Sequence, residues 1–198
     1  LNIKKYLLNQ KKYNYFFNSK KTNQILNNKK IYKFDGIAID SRDVKRDNLF
    51  IAIKGKNNDG NHFISRAINK GARYIVSSKN YKNDNKRIIK VDDTVAFLNK
   101  FAKLKRQNSK AKILAITGSA GKTSLKNILN FLLKKYDKTY ASPRSFNNHY
   151  GVPLSLSNLN PDHKFGVFEV GMSKKGEINK LSKMIKPNLA IITNIAEA

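Results

Sequence analysis

Residues 113–133 constrain the fold of this chain more than any other part of the sequence. Residues 113–116 are all apolar, and residues 117–124 read Thr-Gly-Ser-Ala-Gly-Lys-Thr-Ser. The apolar run predicts a buried strand that enters a glycine-containing loop. A helix is predicted directly after the loop, because four apolar residues follow at the spacing of one helical face: Leu125, Ile128, Leu129 and Leu132. We expect that face to pack on a sheet.

The loop itself has the composition of a phosphate-binding loop. Two glycines let the backbone approach a ligand closely, and the start of a helix presents unpaired N–H groups. In such a loop the lysine reaches the β- and γ-phosphates, and the threonine hydroxyl binds Mg²⁺. The sequence therefore predicts a nucleoside triphosphate site with these residues: Gly118, Ser119, Ala120, Gly121, Lys122, Thr123 and Ser124.

The loop departs from the full G-x-x-x-x-G-K-[ST] pattern at one position. The first glycine of that pattern would fall at position 116, where this chain has Ile116. The remaining G-x-x-G-K-T pattern is shorter and less specific. The alternative interpretation is an ordinary helix start, in which Thr117 or Ser119 caps the helix and Gly121 only permits a turn.

The pattern after the loop predicts a parallel α/β sheet. Residues 165–171 read as a buried strand, residues 176–184 as a helix, and residues 189–195 as another strand. Ligands of such sheets bind at the carboxyl ends of the strands, where Glu169 lies. Glu169 is therefore a candidate Mg²⁺ ligand beside Thr123, with a structural cap or an ion-pair partner as the alternative role.

The first half of the chain predicts a smaller α/β unit. Short apolar runs at 36–39, 49–53, 74–76 and 88–91 are typical of strands, and helical spacing is present at 62–70 and 95–104. Residues 106–110 are polar and are predicted to form a linker, which places a domain boundary near Asn108. We therefore expect a basic leader at 1–30, one domain at 31–107 and a second at 108–198.

The leader interleaves lysines with an aromatic cluster at Tyr13, Tyr15, Phe16 and Phe17. Such a pattern can bind single-stranded nucleic acid. The favoured interpretation is a short helix or an irregular segment whose aromatic side chains dock on the first domain.

Charge gives a second reason to consider nucleic acid. The 198 residues include 40 Lys and Arg against 13 Asp and Glu, for a net charge of +27. The lysines are spread over the whole length, so one nucleic-acid-binding face is not favoured. The absence of Cys excludes disulfides, and the three His lack metal-ligand spacing. No apolar run approaches the ~20 residues that span a bilayer, and we expect a cytoplasmic monomer.

Four separated segments resemble the Mur ligases, the ATP-dependent amide-bond-forming enzymes of peptidoglycan precursor synthesis. Residues 40–42 (Asp-Ser-Arg) with 48–60 resemble the amino-terminal domain that holds the UDP-sugar, and residues 117–124 resemble the family's ATP loop, which also lacks the first glycine. Residues 146–154 and 169–178 resemble the branch that joins D-alanyl-D-alanine to UDP-N-acetylmuramoyl-tripeptide. The implied architecture is a small α/β UDP-binding domain followed by a truncated parallel-sheet P-loop ATPase domain.

The resemblance implies that ATP phosphorylates the terminal carboxylate of the peptide, and that the amine of D-alanyl-D-alanine then attacks the acyl phosphate. Lys122 would neutralise the transferring phosphoryl group, while Thr123 and Glu169 would hold Mg²⁺. Asn148, with Asn147, would lie near the metal and the acyl phosphate. Contacts to the UDP-sugar would come from these residues: Ser41, Arg42, Lys56, Asn57 and Asn58.

Blander roles remain open for several of these residues. Asn147 and Asn148 could form a turn before Gly151. Asp40 and Arg42 could form a salt bridge, worth about 1 kcal/mol or less if exposed.

Other functions remain open as well. One alternative function is that of another Mur-type, folyl-polyglutamate-type or cyanophycin-type ligase. A second alternative is a basic P-loop protein that binds nucleic acid. The resemblance also implies further strands, metal ligands and a third domain beyond Ala198. We therefore expect that this chain alone does not complete the reaction, and detectable ligation by it would contradict that expectation.

Overall fold

The computed structural model describes residues 15–16, 33–55, 57–80, 87–172 and 174–196. The chain divides into two compact units, Leu1–Lys100 and Phe101–Ala198. Each unit is built around a parallel four-stranded sheet. The predicted α/β class with parallel sheets is therefore confirmed, whereas the predicted domain limits of 31–107 and 108–198 stay a prediction.

The described residues of the first unit form six strands, of which four build the parallel sheet in the order β3-β4-β5-β6. Strands β1 and β2 form a separate antiparallel pair. A 3₁₀ helix at Gly60–Phe63 leads into α1, Ile64–Asn69. The strands have these bounds: β1 Tyr15–Phe16, β2 Lys33–Phe34, β3 Ile37–Ala38, β4 Leu49–Ile51, β5 Tyr74–Ser77 and β6 Ile88–Lys90.

The aromatic leader is predicted as a short helix or an irregular segment, and the helical alternative is wrong for the part that the structure describes. Tyr15–Phe16 is a strand whose backbone pairs with Lys33–Phe34. Tyr13 and Phe17 lie outside the described residues.

The core of the first unit forms between its sheet and α1. Phe50 on β4 and Ile75 on β5 lie at the centre, and Ile64 and Ala67 reach them from α1. All four are buried, at 5 % exposure or less. The alternating side chains of a strand explain why Phe50 belongs to this cluster while its neighbours Leu49 and Ile51 face the other way.

Helix α2, Thr94–Asn108, belongs to the first unit up to Lys100 and to the second unit from Phe101. The predicted linker at 106–110 is wrong for its first three residues. Arg106 lies in the helix, and its guanidinium donates to the backbone carbonyls of Ile185 and Lys186 at 2.5 and 2.7 Å. Polar composition predicted a linker here because the sequence does not reveal that these donors cap another helix.

The second unit has the sheet order β10-β7-β9-β8, with all strands parallel. The sequence patterns predicted β7, β9, β10, α3 and α5 but missed β8 and α4. The elements have these bounds: β7 Lys112–Thr117, α3 Lys122–Leu133, β8 Thr139–Ala141, α4 Gly151–Ser157, β9 Phe165–Glu169, α5 Glu177–Ile185 and β10 Leu189–Ile192.

The two faces of this sheet are covered by different helices. On one face, Phe168 of β9 packs in a buried cluster with α4 and α5 residues such as Leu156 and Leu181. On the other face, the next residue, Glu169, contacts α3. The alternation of side chains along β9 thus separates the apolar core from the polar site.

Helix α3 forms as the sequence predicts, but its apolar face is not buried as predicted. Ile128 and Leu132 are 55 % and 44 % exposed, and Phe131 is 61 % exposed. The residue that α3 buries most deeply is a charged one, Lys126, at 2 %. Hydrophobic spacing could not predict this, because α3 places the charged side chain of Lys126 against the Glu169 carboxylate at the end of β9.

Candidate functional site

The candidate site lies where β7 and β9 end side by side. The chain leaves β7 into α3 on one face of the sheet and leaves β9 toward α5 on the other. Connections that part in this way open a crevice at the carboxyl edge, which is where parallel α/β sheets bind ligands. Residues 118–124 follow β7 at this edge.

Two glycines give the loop its shape. Gly118 has φ +132° and Gly121 has φ +78°, backbone conformations that residues other than glycine rarely adopt. Gly121 directly precedes α3, so the helix begins at Lys122 with its first N–H groups unpaired within the helix. The alternative of a side-chain helix cap is wrong, because no side chain caps α3 and the Ser119 hydroxyl bonds the backbone of Ala196 instead.

The Lys122 ammonium folds back over the loop. Its Nζ donates to the carbonyl oxygens of Gly118 and Ser119 at 2.6 and 3.1 Å. The positive charge is thus held at the helix N-terminus, beside the N–H groups that attract anions.

Thr123 and Glu169 meet at the floor of the crevice. The Thr123 hydroxyl donates to Oε2 of Glu169 at 2.8 Å, although the two residues are 46 positions apart in the sequence. Glu169 is 1 % exposed. The sequence assigned both residues to one metal site, and the structure places them in direct contact.

Two more side chains hold the Glu169 carboxylate. Nδ2 of Asn147 donates to Oε1 at 2.8 Å, and Nζ of Lys126 lies 3.5 Å from Oε2. Lys126 also donates to the carbonyl of Arg144. Both carboxylate oxygens therefore have donors, as a buried charge requires.

The neighbouring Asn148 has a different set of contacts. Its Oδ1 accepts from the backbone N–H groups of Tyr150 and Gly151 at 3.0 and 2.9 Å, at the start of α4. The turn that the sequence left open as an alternative is therefore present. The predicted roles of Asn147 and Asn148 toward substrate stay predictions.

This donor set fits a magnesium nucleotide. Mg²⁺ typically takes one or two protein oxygens and completes its shell with phosphate oxygens and water. Thr123 and Glu169 offer two such oxygens at a helix N-terminus that favours phosphate. Among the described residues no cluster of three or more His, Cys, Asp or Glu is placed to bind a metal, so the protein share of this site would be small.

The first unit carries a second group of predicted site residues. The Arg42 guanidinium binds both carboxylate oxygens of Asp40 at 2.6–3.0 Å, so the salt bridge left open by the sequence is present. Hydrogen bonding to Asp40 raises the pKa of Arg42. Ser41, between them, is 5 % exposed.

A cleft of about 250 Å³ opens near the carboxyl end of β4. Asn57 and Asn58 line it together with Asp59 and His62. Hydrogen bonds from Lys79 and from Asn61 hold the pKa of Asp59 well below its usual range. Lys56, which the sequence also assigned to the UDP-sugar, lies outside the described residues.

The glycine loop, the strand order and the Thr123–Glu169 contact define an α/β P-loop fold. Two family models match the chain: the Mur ligase family catalytic domain over residues 33–106 and the Mur ligase middle domain over residues 116–198. The chain belongs to the Mur ligase family.

Curated relatives bear one common name, UDP-N-acetylmuramoyl-tripeptide–D-alanyl-D-alanine ligase. The protein from Rickettsia prowazekii is 45 % identical over 163 residues, which are 82 % of this chain and 36 % of that protein. The protein from Bacillus subtilis is 35 % identical over 82 % of this chain and 36 % of its own length. The chain thus spans about a third of the relatives that it matches.

Solved structures of the same kind of ligase have similar folds. MurF from Acinetobacter baumannii matches 93 % of this chain and 42 % of its own, with a TM-score of 0.76 and 28 % identity. MurF ligase from Thermotoga maritima in complex with ADP matches 82 % and 38 %, with a TM-score of 0.67 and 34 % identity. The resemblance to Mur ligases inferred from the sequence is confirmed.

Sequence reasoning missed two residues at this site, Lys126 and Asn194. Lys126 looked like one of many surface lysines, although its position one turn after Lys122 places it on the same side of α3. Asn194 follows the last strand, where the pattern predicted only more strand. Neither belongs to a motif: Lys126 is identified by its contact with Glu169, and Asn194 by the hydrogen bond that it accepts from the Ala120 amide.

Proposed function

We propose that the intact protein joins D-alanyl-D-alanine to UDP-N-acetylmuramoyl-tripeptide in peptidoglycan precursor synthesis, at the expense of ATP. The relatives at 45 % and 35 % identity carry that activity in their names. Because this chain spans 36 % of their length, the activity is assigned to the whole protein.

The contact between Thr123 and Glu169 is the observation that carries the proposal. It brings a hydroxyl and a carboxylate to 2.8 Å at the start of α3, with Lys122 over the same loop. Lys122 would neutralise charge on the transferring phosphoryl group, and the loop from Gly118 to Ser124 would surround the phosphates, with the N–H groups at the start of α3 directed at them.

The proposed cofactors are ATP and Mg²⁺. Thr123 and Glu169 would hold the metal ion, which supplies charge neutralisation on the phosphate oxygens when it is bound. The occurrence of ADP in the named Thermotoga structure supports a nucleotide at this loop.

In the proposed reaction the terminal carboxylate of the peptide takes the γ-phosphoryl group of ATP, and ADP leaves. The amine of D-alanyl-D-alanine then attacks the acyl phosphate carbon, and inorganic phosphate leaves as the amide bond forms. Asn148, with Asn147, is proposed to orient the carboxylate beside the phosphoryl group, because Asn147 contacts Glu169 and Asn148 is its neighbour in the chain.

The UDP-sugar is proposed to bind the first unit, in a domain at residues 31–107, with the nucleotide in a domain at 108–198. The contact residues would be Ser41, Arg42, Lys56, Asn57 and Asn58. The exposed cleft bordered by Asn57 and Asn58 supports this assignment.

None of the helices in the described part of the chain combines the length and the apolar character needed to cross a lipid bilayer. We further propose a cytoplasmic monomer.

The test is ATP turnover by the intact protein with UDP-N-acetylmuramoyl-tripeptide as acceptor. We expect phosphate release that depends on D-alanyl-D-alanine and not on lysine, diaminopimelate or glutamate. Equal turnover with one of those amino acids would reassign the protein to another amide ligase. No turnover with any of them, together with tight salt-sensitive binding of single-stranded DNA, would favour a nucleic-acid-binding protein.

A further inference from the structure

The segment that follows β10 holds the phosphate loop by its backbone. The N–H of Ala120 donates to Oδ1 of Asn194 at 2.9 Å, and the N–H of Ser119 donates to the backbone oxygen of Asn194 at 3.0 Å. One residue, 74 positions away in the sequence, therefore accepts from two consecutive loop amides.

Thr193 fixes the other side of the loop. Its hydroxyl lies 2.5 Å from the carbonyl oxygen of Ala120 and 3.2 Å from that of Thr117. A Cβ placed on Gly118 would overlap this hydroxyl and would come within 2.8 Å of the Asn194 oxygen. The close approach explains why position 118 needs glycine in addition to its φ of +132°.

These contacts decide which loop amides can meet a phosphate. The N–H groups of Ser119 and Ala120 point at Asn194, so they do not point into the crevice. The amides left for phosphate oxygens are those at the start of α3, from Gly121 to Ser124, where Lys122 and Thr123 also project.

We propose that Asn194 is a positioning residue that fixes the shape of the phosphate loop from the neighbouring strand end and thereby sets the affinity for the nucleotide. The inference rests on the proposed nucleotide-binding function of the loop. A loop that is already ordered loses less conformational freedom when the ligand binds, which strengthens binding. Asn194 supports the loop from outside its own segment, because it accepts from two consecutive loop amides.

The experiment compares Asn194→Ala with a matched control, Asn179→Ala, in the intact protein. Both asparagines are exposed, and Asn179 lies on α5 of the same unit. Isothermal calorimetry measures affinity for ADP with Mg²⁺, and hydrogen exchange measures protection of the Ser119 and Ala120 amides. Thermal unfolding is recorded for every variant.

We expect Asn194→Ala to weaken binding of magnesium ADP by about tenfold and to speed exchange of the Ala120 amide, which loses its side-chain acceptor, more than that of the Ser119 amide, whose backbone acceptor remains. The unfolding midpoint should stay within a few degrees of the parent. The KM for ATP should rise by a similar factor, while the KM for D-alanyl-D-alanine changes less than about twofold. Asn179→Ala should change none of these quantities.

Asn194→Asp separates loop shape from charge. It keeps an oxygen acceptor for the Ala120 amide, so exchange should stay slow. Its carboxylate should weaken the binding of ATP more than the binding of ADP, because ATP carries the greater negative charge. Added salt should reduce that difference in affinity.

Unchanged affinity for magnesium ADP in Asn194→Ala would overturn the proposal, whether or not the unfolding midpoint falls. Failure of the proposed function would be different: the parent protein itself would bind no magnesium ADP. In that case equal exchange rates in parent and variant would also overturn the positioning role, and faster exchange in the variant would support it.

Discussion

At the scale of single residues, the site depends on a few charged side chains held in fixed places. Lys122 lies over the loop carbonyls, and Glu169 is held on both oxygens. Replacing Lys122 is therefore expected to act mainly on chemistry, whereas replacing Glu169 would also leave Lys126 buried without its negative partner.

We predict that Lys122→Ala nearly abolishes turnover in the intact ligase. Loss of one charge aimed at a transferring phosphoryl group costs several kcal/mol of transition-state stabilisation, or roughly 10²–10³-fold or more in kcat. Steady-state kinetics measure the loss, and circular dichroism confirms that the variant is folded. Activity within tenfold of the parent would contradict the assignment of Lys122.

Lys105 on α2 provides a prediction on pH. Burial lowers its pKa to about 7, and the nearby Asp162 opposes that shift only in part. In the unfolded chain a lysine keeps its proton up to about pH 10.4, so between pH 7 and 10 the unfolded state binds more protons. The cost of burying Lys105 is therefore relieved as the pH rises.

Urea denaturation of this chain at pH 7.0 and 9.5 measures the effect. The Lys105 contribution should raise the free energy of unfolding by about 1–3 kcal/mol between these two values, and Lys105→Met should remove that rise. The same slope in parent and variant would show that Lys105 titrates normally in the folded protein.

At the scale of elements, α3 and the ends of β9 and β10 build the site together. Helix α3 supplies Lys122, Thr123 and Lys126, β9 supplies Glu169, and the segment after β10 supplies Asn194. Contacts between residues 40–75 positions apart make this arrangement cooperative. A change in any one of the three elements is therefore expected to disturb the other two.

We predict that Lys126→Met lowers the free energy of unfolding by about 3–5 kcal/mol, because it leaves Glu169 buried without its positive partner. Urea denaturation measures the loss. Lys134→Met, an exposed change at the residue that follows the same helix, should stay within ~0.5 kcal/mol of the parent. The double variant Lys126→Met with Glu169→Gln should recover much of the loss, and a double variant as unstable as the single one would contradict the charge-pair explanation.

The helices and strands also show how much of the fold the sequence predicts. Local patterns sufficed for the loop, for α3 and for the Thr123–Glu169 pair, since chain order and strand ends fix them. Helix α4 was missed because Gly151 and Pro153 read as turn residues, although Pro is accepted in a first helical turn. The Asn194 contact was out of reach, because no local pattern specifies which strand end lies beside a loop.

At the scale of the whole molecule, both units repeat one design, a parallel four-stranded sheet. Their predicted roles differ because the loops differ, since one has a glycine loop with lysine and the other a polar cleft. The positive charge of the chain is distributed over both units, in keeping with the sequence.

The second unit also exposes apolar surface. Phe131 on α3 and Leu189 and Ile192 on β10 are 61 %, 53 % and 60 % exposed. Exposed apolar groups of this size bind hydrophobic dyes. We predict that this chain enhances the fluorescence of anilinonaphthalene sulfonate, and that Ile192→Lys with Phe131→Lys reduces the enhancement. Unchanged fluorescence in the folded double variant would locate the dye elsewhere.

The close packing at Gly171 has a consequence for protein engineering. A Cβ on Gly171 would come within 2.9 Å of the Asn147 side-chain amide, and that amide holds Glu169 at 2.8 Å. Saturation mutagenesis at codon 171 should therefore return glycine alone among fully active clones. Even alanine would push the Asn147 amide away from the Glu169 carboxylate, which the proposed reaction needs in place.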